Sequence, residues 1–189
     1  MSELIRDKLV LQSPAKLNLF LHIVGRRSDG YHLLQSAFQL IDWCDTITLT
    51  RITENEIRHT NPLPGVLPKD DLVVRAATLL KDFCQVKSGV EIHLKKEIPM
   101  GAGLGGGSSD AATTLIGLNA LWNLQLDNDT LCKLGLQLGA DVPFFIFGKN
   151  ALVEGIGEQM QEMRLDQRDF LVIFPNQGIP TIQIGRAHV

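Results

Sequence analysis

The chain has 189 residues, of which 44% are hydrophobic and 21% charged, so it can bury a core and has the composition of a globular protein. Its formal net charge is −3 and its basic residues form no long run, so the composition gives no support to nucleic-acid binding. Three widely spaced cysteines without a CxxC pair predict neither a disulfide framework nor a zinc site. No apolar run approaches the roughly 20 residues that span a bilayer, and no apolar signal segment opens the chain, so we expect a cytoplasmic protein without a membrane partner.

The N-terminal part of the chain is predicted to form strands. Leu9–Ser13 and Lys16–Val24 are two apolar segments that a proline separates. In the second segment, apolar and polar residues alternate with a period of two, which is typical of a strand. Because side chains alternate across a strand, this pattern predicts that Lys16, Asn18 and His22 share one face.

Further strands and helices alternate along the rest of the chain. Residues 25–30 form a polar, turn-rich loop, and residues 31–41 are ambiguous between helix and strand. Short alternating or β-branched segments predict strands at Thr46–Ile52, Val90–Leu94, Ala151–Val153 and Phe170–Phe174. Capping residues and apolar stripes predict helices from Asp70 or Asp71 to about Val86, from Ser108 or Ser109 to about Leu124, and from about Asp129 to Leu138.

A glycine-rich loop gives the strongest local signal. It consists of Pro99, Met100, Gly101, Ala102, Gly103, Leu104, Gly105, Gly106, Gly107, Ser108 and Ser109. Ordering so many glycines costs conformational entropy, and glycine lets the backbone approach a ligand closely. The loop runs into a predicted helix, whose first N–H groups have no intrahelical partner and favour an anion. The pattern therefore predicts a polyphosphate site.

Other interpretations of this loop stay open. It is not a Walker A sequence, because no Gly-Lys-Ser/Thr ends it. Gly101, Gly103 and Gly106 do match the dinucleotide-binding pattern, with Asp127 as the acid about 20 residues further on. The preceding segment alternates with charged residues, however, whereas a dinucleotide fold places a fully buried parallel strand there. A tight connector without a ligand is the third interpretation, and phosphate binding is favoured over both.

Three residues are candidates for phosphoryl-transfer chemistry, which needs a cation beside the phosphates and an acid beside the acceptor hydroxyl. Lys16 is the candidate cation, although spacing alone favours an ordinary solvated lysine. Asp141 precedes an apolar segment and is either a functional carboxylate or the cap of the next helical turn. Asp110 is a rival acid, disfavoured because a carboxylate next to a triphosphate repels it.

The segment Asp29–His32 combines a turn, an aromatic ring and an imidazole. This combination suits a polar ligand with a ring, or it is a plain loop with a surface histidine. The remaining histidines are far from one another in the sequence, so no metal site is predicted.

Three segments in order, Pro14–Leu19, Gly101–Ser109 and Gly139–Phe145, resemble the GHMP kinase superfamily. The segment Gly25–Leu34 is similar to the members that phosphorylate a cytidine-diphosphate-linked sugar alcohol in non-mevalonate isoprenoid synthesis. It resembles mevalonate, homoserine or galactose kinases less. The resemblance extends to about Thr181.

This resemblance implies a fold, two cofactors and a set of site residues. The fold would be α+β with a left-handed β-α-β crossover, and ATP with Mg²⁺ would lie along Pro99–Ser109. Lys16 and Asp141 would be the catalytic pair, with Asp141 taking or aligning the proton of the 2-hydroxyl. The residues implied to bind the small-molecule substrate are Asn18, Tyr31, His32, Phe38 and Thr181.

The resemblance also implies a domain division. Residues 1–175 would be the ATP-binding domain, and residues 176–189 the start of a second domain ending in a tail unlike the family. Family members continue into a complete second domain that closes the cleft, so we expect this chain to be truncated and a weak homodimer at most. An inactive nucleotide-binding fragment and a kinase with another substrate are the alternatives.

Overall fold

The computed structural model describes residues 7–26, 32–155, 157, 159–166 and 168–175. In chain order the strands are β1 (Lys8–Arg26), β2 (His32–Ile52), β3 (Ile57–His59), β4 (Gly89–Lys95), β5 (Ala151–Gly155) and β6 (Gln159–Glu162). The helices are α1 (Leu72–Cys84), α2 (Gly106–Leu121), α3 (Asn128–Leu136) and α4 (Val142–Phe147). One sheet with helices packed against it confirms the predicted α+β class.

Strand β2 organises the sheet. One of its edges pairs antiparallel with β1 along almost its whole length. The other edge pairs with β4 through Thr46–Ile52 and with β5 through Leu34–Phe38, both antiparallel. β6 extends the sheet beyond β5, and β3 pairs parallel with β4. The unit β3-α1-β4 is therefore a crossover between parallel strands. That this crossover is left-handed stays a prediction.

β1 is one strand and not the two that the proline suggested. The ladder with β2 continues through Pro14 because a register shift lies between Pro14 and Ala15, where a missing N–H is tolerated. A second shift lies between Asn18 and Phe20 and reverses the alternation of side chains beyond it. The prediction that His22 shares the face of Lys16 is therefore wrong, and Leu21 takes that place in the cleft described below.

The ambiguous segment 31–41 belongs to β2 from His32 onward. The strand predicted at Phe170–Phe174 is absent, because these residues form neither helix nor strand in the structure. The alternation there is real, since Leu171 and Ile173 are 89% and 81% exposed while Val172 packs against the core. Alternation alone does not make a strand when no neighbouring strand completes a ladder.

Helix α1 begins as predicted, because the Asp71 carboxylate accepts the N–H of Val73 and caps it. α2 begins at Gly106, before the serines that were expected to open it. It is buried on most of its surface, including the polar residues Ser109, Asp110, Thr113 and Thr114. It covers Ile47 and Leu49 of β2 in the main core. Within the described residues, no helix is long and apolar enough to cross a membrane.

Candidate active site

A cleft of about 840 Å³ opens between the glycine loop, β1 and the start of α4. Its polar lining includes Lys16, Asn18 and Asp141, and a more apolar part contains Leu63, Val66 and Leu94. From the predicted loop, every residue from Pro99 to Ser108 lines the cleft. Ser109 does not, because it is fully buried and its hydroxyl accepts a hydrogen bond from Ser13 at 2.9 Å. The fold thus brings the phosphate-binding candidates and both catalytic candidates to one place.

The glycine loop depends on left-handed backbone conformations. Gly101, Gly103 and Gly105 have φ of 72°, 74° and 72°. The loop is tied to β1, because the N–H of Lys16 donates to the carbonyl of Leu104 at 2.9 Å. Gly105 is the N-cap of α2 and has no side chain to satisfy the helix N–H groups, so these remain available to a ligand in the cleft. This is the geometry of a helix start that can bind an anion, and it lies beside Lys16.

Lys16 is buried and not solvated. Its ammonium donates to Asn18 Oδ1 at 2.6 Å and lies 3.4 Å from Asp141 Oδ2. It also lies 4.7 Å from the centroid of the Phe38 ring, in the geometry of a cation–π contact. A buried ammonium must be paired, so Lys16 and Asp141 hold each other in place. The geometry matches a cation and an acid acting as a unit.

The Asp141 carboxylate caps no helix in the described part of the chain. Asp141 precedes α4, but its backbone is right-handed helical and its side chain makes no capping hydrogen bond. The side chain is 35% exposed, so it reaches both the cleft and Lys16. Of the two interpretations that the sequence left open, the structure favours a carboxylate directed to the cleft.

The other predicted site residues divide into those inside and those outside the described structure. Asn18 and Phe38 line the cleft, and Phe38 stacks edge-on against Phe144 at 5.1 Å. For His32 only the backbone at the start of β2 is described, and Tyr31 and Thr181 lie outside the described residues. Asp127, the acid of the dinucleotide interpretation, is exposed and caps α3 by accepting the N–H of Thr130 at 2.8 Å.

A buried cluster that the sequence analysis missed lies below the loop. Asp110 is 2% exposed, and its Oδ2 accepts a hydrogen bond from Lys96 Nζ at 2.8 Å. Lys96 also pairs with the fully buried Asp45. One signal could have found Lys96: the inward positions of β4 run through Ile92 and Leu94, and the next residue in that alternation is Lys96.

Asp110 makes the stability of the fold depend on pH. Burial, with a smaller contribution from the negative charge of Asp45, raises the pKa of Asp110 to about 6, although Lys96 opposes the shift. A carboxyl whose pKa is higher in the folded state binds more protons there, so the free energy of unfolding falls as pH rises from about 4 to about 6.

We expect Asp110→Asn to remove a fall of about 1–3 kcal/mol across this window, measured by urea unfolding at several pH values. The exposed Asp166→Asn is the control, and an equal slope in wild type and Asp110→Asn would contradict the assignment.

Comparison with known proteins identifies the family. The sequence profile described as GHMP kinases N terminal domain matches residues 71–149, which contain the glycine loop and Asp141. The chain is 75% identical over 178 residues to the 4-diphosphocytidyl-2-C-methyl-D-erythritol kinase of Polynucleobacter necessarius, covering 94% of this chain and 60% of that protein. The chain thus contains the N-terminal domain of the GHMP kinases at residues 71–149. The kinase of the same name from Burkholderia mallei is 56% identical over 180 residues, covering 95% of this chain and 60% of that protein.

Solved structures of small-molecule kinases share the fold. A crystal structure of 4-(cytidine 5'-diphospho)-2C-methyl-D-erythritol kinase superposes with a TM-score of 0.74 at 39% identity, covering 84% of this chain and 56% of that one. Homoserine kinase from Cytophaga hutchinsonii superposes with a TM-score of 0.66 at 16% identity, covering 88% of this chain and 55% of that one, which shows a common fold alone. The chain spans about 60% of the length of the curated GHMP kinases that it matches.

Proposed function

We propose that this chain is the ATP-binding part of a GHMP kinase that phosphorylates the 2-hydroxyl of 4-(cytidine 5'-diphospho)-2-C-methyl-D-erythritol. The observation that carries the proposal is the Lys16–Asp141 pair, 3.4 Å between Nζ and Oδ2, in the same cleft as the uncapped start of α2. The substrate is proposed from the relatives at 56% to 75% identity, whose names state it. Residues 1–175 would form the ATP-binding domain and residues 176–189 the start of the next.

The proposed roles follow from what phosphoryl transfer requires, namely positioning of the phosphates and stabilisation of charge. The N–H groups at the start of α2 and the loop Gly101–Ser108 would hold the ATP phosphates. Asp141 would take or align the proton of the attacking hydroxyl. Lys16 would orient Asp141 and offset negative charge on the transferred phosphoryl group. Asn18, whose amide oxygen accepts from Lys16, would fix the direction of that ammonium as well as face the substrate.

Mg²⁺ would enter with ATP. Within the described ranges no three His, Cys, Asp or Glu side chains come together, so phosphate oxygens and water would supply most of its ligands. Bound there, the metal would neutralise charge on the phosphates. The arrangement fits this ion because Mg²⁺ in kinases is held by few protein groups.

On the substrate side, Phe38 would contribute to the cleft wall, His32 would read the cytosine edge, Tyr31 would stack, and Thr181 would lie nearby. A different small-molecule acceptor is the alternative, and homoserine and mevalonate kinases with the same fold at 16% and 17% identity motivate a substrate panel. We also propose a cytoplasmic protein that dimerises weakly at most.

The test is a calorimetric titration of this chain with Mg²⁺ and the non-hydrolysable ATP analogue AMPPNP, then with the cytidine diphosphate substrate, followed by an assay of ADP release from ATP. We expect AMPPNP to bind, because the start of α2 and the glycine loop are formed in this chain. Substrate-dependent ADP release would establish the kinase activity. Nucleotide binding without turnover would identify an inactive nucleotide-binding fragment, and release with another acceptor alone would correct the substrate. A folded chain that binds no AMPPNP would refute the proposal.

A further inference from the structure

Three charged side chains other than the Lys16–Asp141 pair meet below the first turns of α2. The Lys96 ammonium lies between Asp45 and Asp110, with salt bridges to Oδ2 of both carboxylates. The exposed fractions of the three side chains are 14% for Lys96, 0% for Asp45 and 3% for Asp110. Burying three charges is unfavourable unless they are closely paired, and apolar side chains of similar volume would often serve stability as well. The cluster therefore calls for an explanation other than stability.

The cluster joins the two ends of the glycine loop. Asp45 Oδ1 accepts the N–H of Glu97 at 2.6 Å and that of Ile98 at 2.8 Å, which fixes the chain just before the loop. Asp110 belongs to α2, just after the loop. Lys96 bridges these two anchors, because its Nζ contacts Oδ2 of Asp45 and of Asp110. One ammonium thus links the segment before the glycine loop to the helix after it.

Lys96 also lies directly under the first residue of α2. A Cβ atom on Gly106 would be 3.1 Å from Lys96 Nζ and 3.1 Å from Ile98 Cγ2. The ammonium therefore packs against the helix start whose N–H groups face the cleft, and Lys96, Gly106 and Asp110 all line that cleft. A change in the position of the ammonium would change the position of these N–H groups.

We propose that Lys96 is a positioning residue for the nucleotide phosphates: by bridging Asp45 and Asp110 it fixes the N-terminus of α2 and both ends of the glycine loop. The inference rests on the proposed function, since it assigns a role at the same nucleotide site. Without the ammonium, the two buried carboxylates lose their common partner, and one of them binds a proton because both cannot stay charged side by side, so α2 is no longer held to β2. The charge of the other carboxylate is then no longer offset and lies below the phosphates, so binding of a ligand with more phosphates suffers more.

The experiment compares AMPPNP with AMP, which carries one phosphate, on the full chain by calorimetry in the presence of Mg²⁺. We expect Lys96→Met to weaken AMPPNP binding by about tenfold or more and AMP binding by less than about threefold, because only the phosphate contacts are displaced. Lys95→Met is the matched control, since Lys95 is the neighbouring lysine and is 67% exposed. A merely structural loss would lower the folded fraction and affect both nucleotides equally.

A second variant keeps the proposal testable if Lys96→Met fails to fold. Lys96→Met combined with Asp110→Asn leaves Asp45 as the single carboxylate of the cluster but does not restore the bridge, so we expect a folded protein with AMPPNP binding still weakened more than AMP binding. Equal losses for AMPPNP and AMP, or wild-type AMPPNP affinity in either folded variant, would overturn the inference. A folded wild-type chain that binds neither nucleotide would refute the proposed function itself, and the inference with it.

Discussion

Asp141→Asn is expected to lower the rate of ADP release by about 10²- to 10⁴-fold, the usual contribution of a general acid or base. The amide has the shape of the carboxylate but cannot accept the proton of the attacking hydroxyl. The amide oxygen can still accept a hydrogen bond from Lys16, which also keeps its hydrogen bond to Asn18 and its contact with Phe38, so the ammonium stays in place. The glycine loop and the start of α2 contain none of the changed atoms, and we expect AMPPNP affinity within about threefold of wild type.

A second acid in the same cleft provides the control for this variant. Asp70 also lines the cleft, is exposed and has no contact with Lys16 among the described residues. Asp70→Asn removes the same charge from the cleft and should leave turnover near that of wild type. If both variants lost the same fraction of the rate, the effect would come from the charge of the cleft in general. If Asp141→Asn kept most of the rate, Asp141 would not be the acceptor of the proton.

The features that local chemistry determines could be predicted from the sequence. The glycine loop runs into a helix as expected, because glycines with positive φ leading into a helix are a local pattern. Asp71 caps α1 for the same reason, since a cap needs only the residues that follow it. The order of the segments carried the family resemblance, which the profile match at residues 71–149 confirms.

The features that depend on contacts between distant segments could not be predicted in this way. The spacing of Lys16 favoured a solvated lysine, and only the fold brings Asp141 to it and buries it. The register shift after Asn18 moved His22 off the predicted face, because a bulge is set by the pairing with β2 and leaves no clear mark in the sequence. The burial of Lys96 had one local signal, the alternation of β4 through Ile92 and Leu94, and the adjacent exposed Lys95 obscures it.

Gly105→Ala is expected to produce the largest loss of stability among the glycine variants of the loop. The backbone of Gly105 has φ of 72°, which costs an alanine about 1–2 kcal/mol. A Cβ atom would also lie 2.8 Å from Phe145 Cζ and 3.1 Å from Lys16 Cγ. Phe145 is 6% exposed and packs against Phe144, and Lys16 is held by Asn18 and Asp141, so neither side chain has room to move. We expect a total loss of about 2–5 kcal/mol in the free energy of unfolding, measured by urea denaturation.

Gly103→Ala separates the two causes of this loss. Gly103 lies in the same loop with φ of 74°, but a Cβ atom there would meet nothing within 4 Å. Its loss of stability should therefore be the backbone strain of about 1–2 kcal/mol alone, and the difference between the two variants measures the close approach of the loop to Phe145 and Lys16. Equal losses would mean that Phe145 moves aside without cost. A larger loss for Gly105→Ala, with weaker AMPPNP binding, would show that the close contact of Gly105 with Lys16 and Phe145 fixes both the position of Lys16 and the shape of the glycine loop.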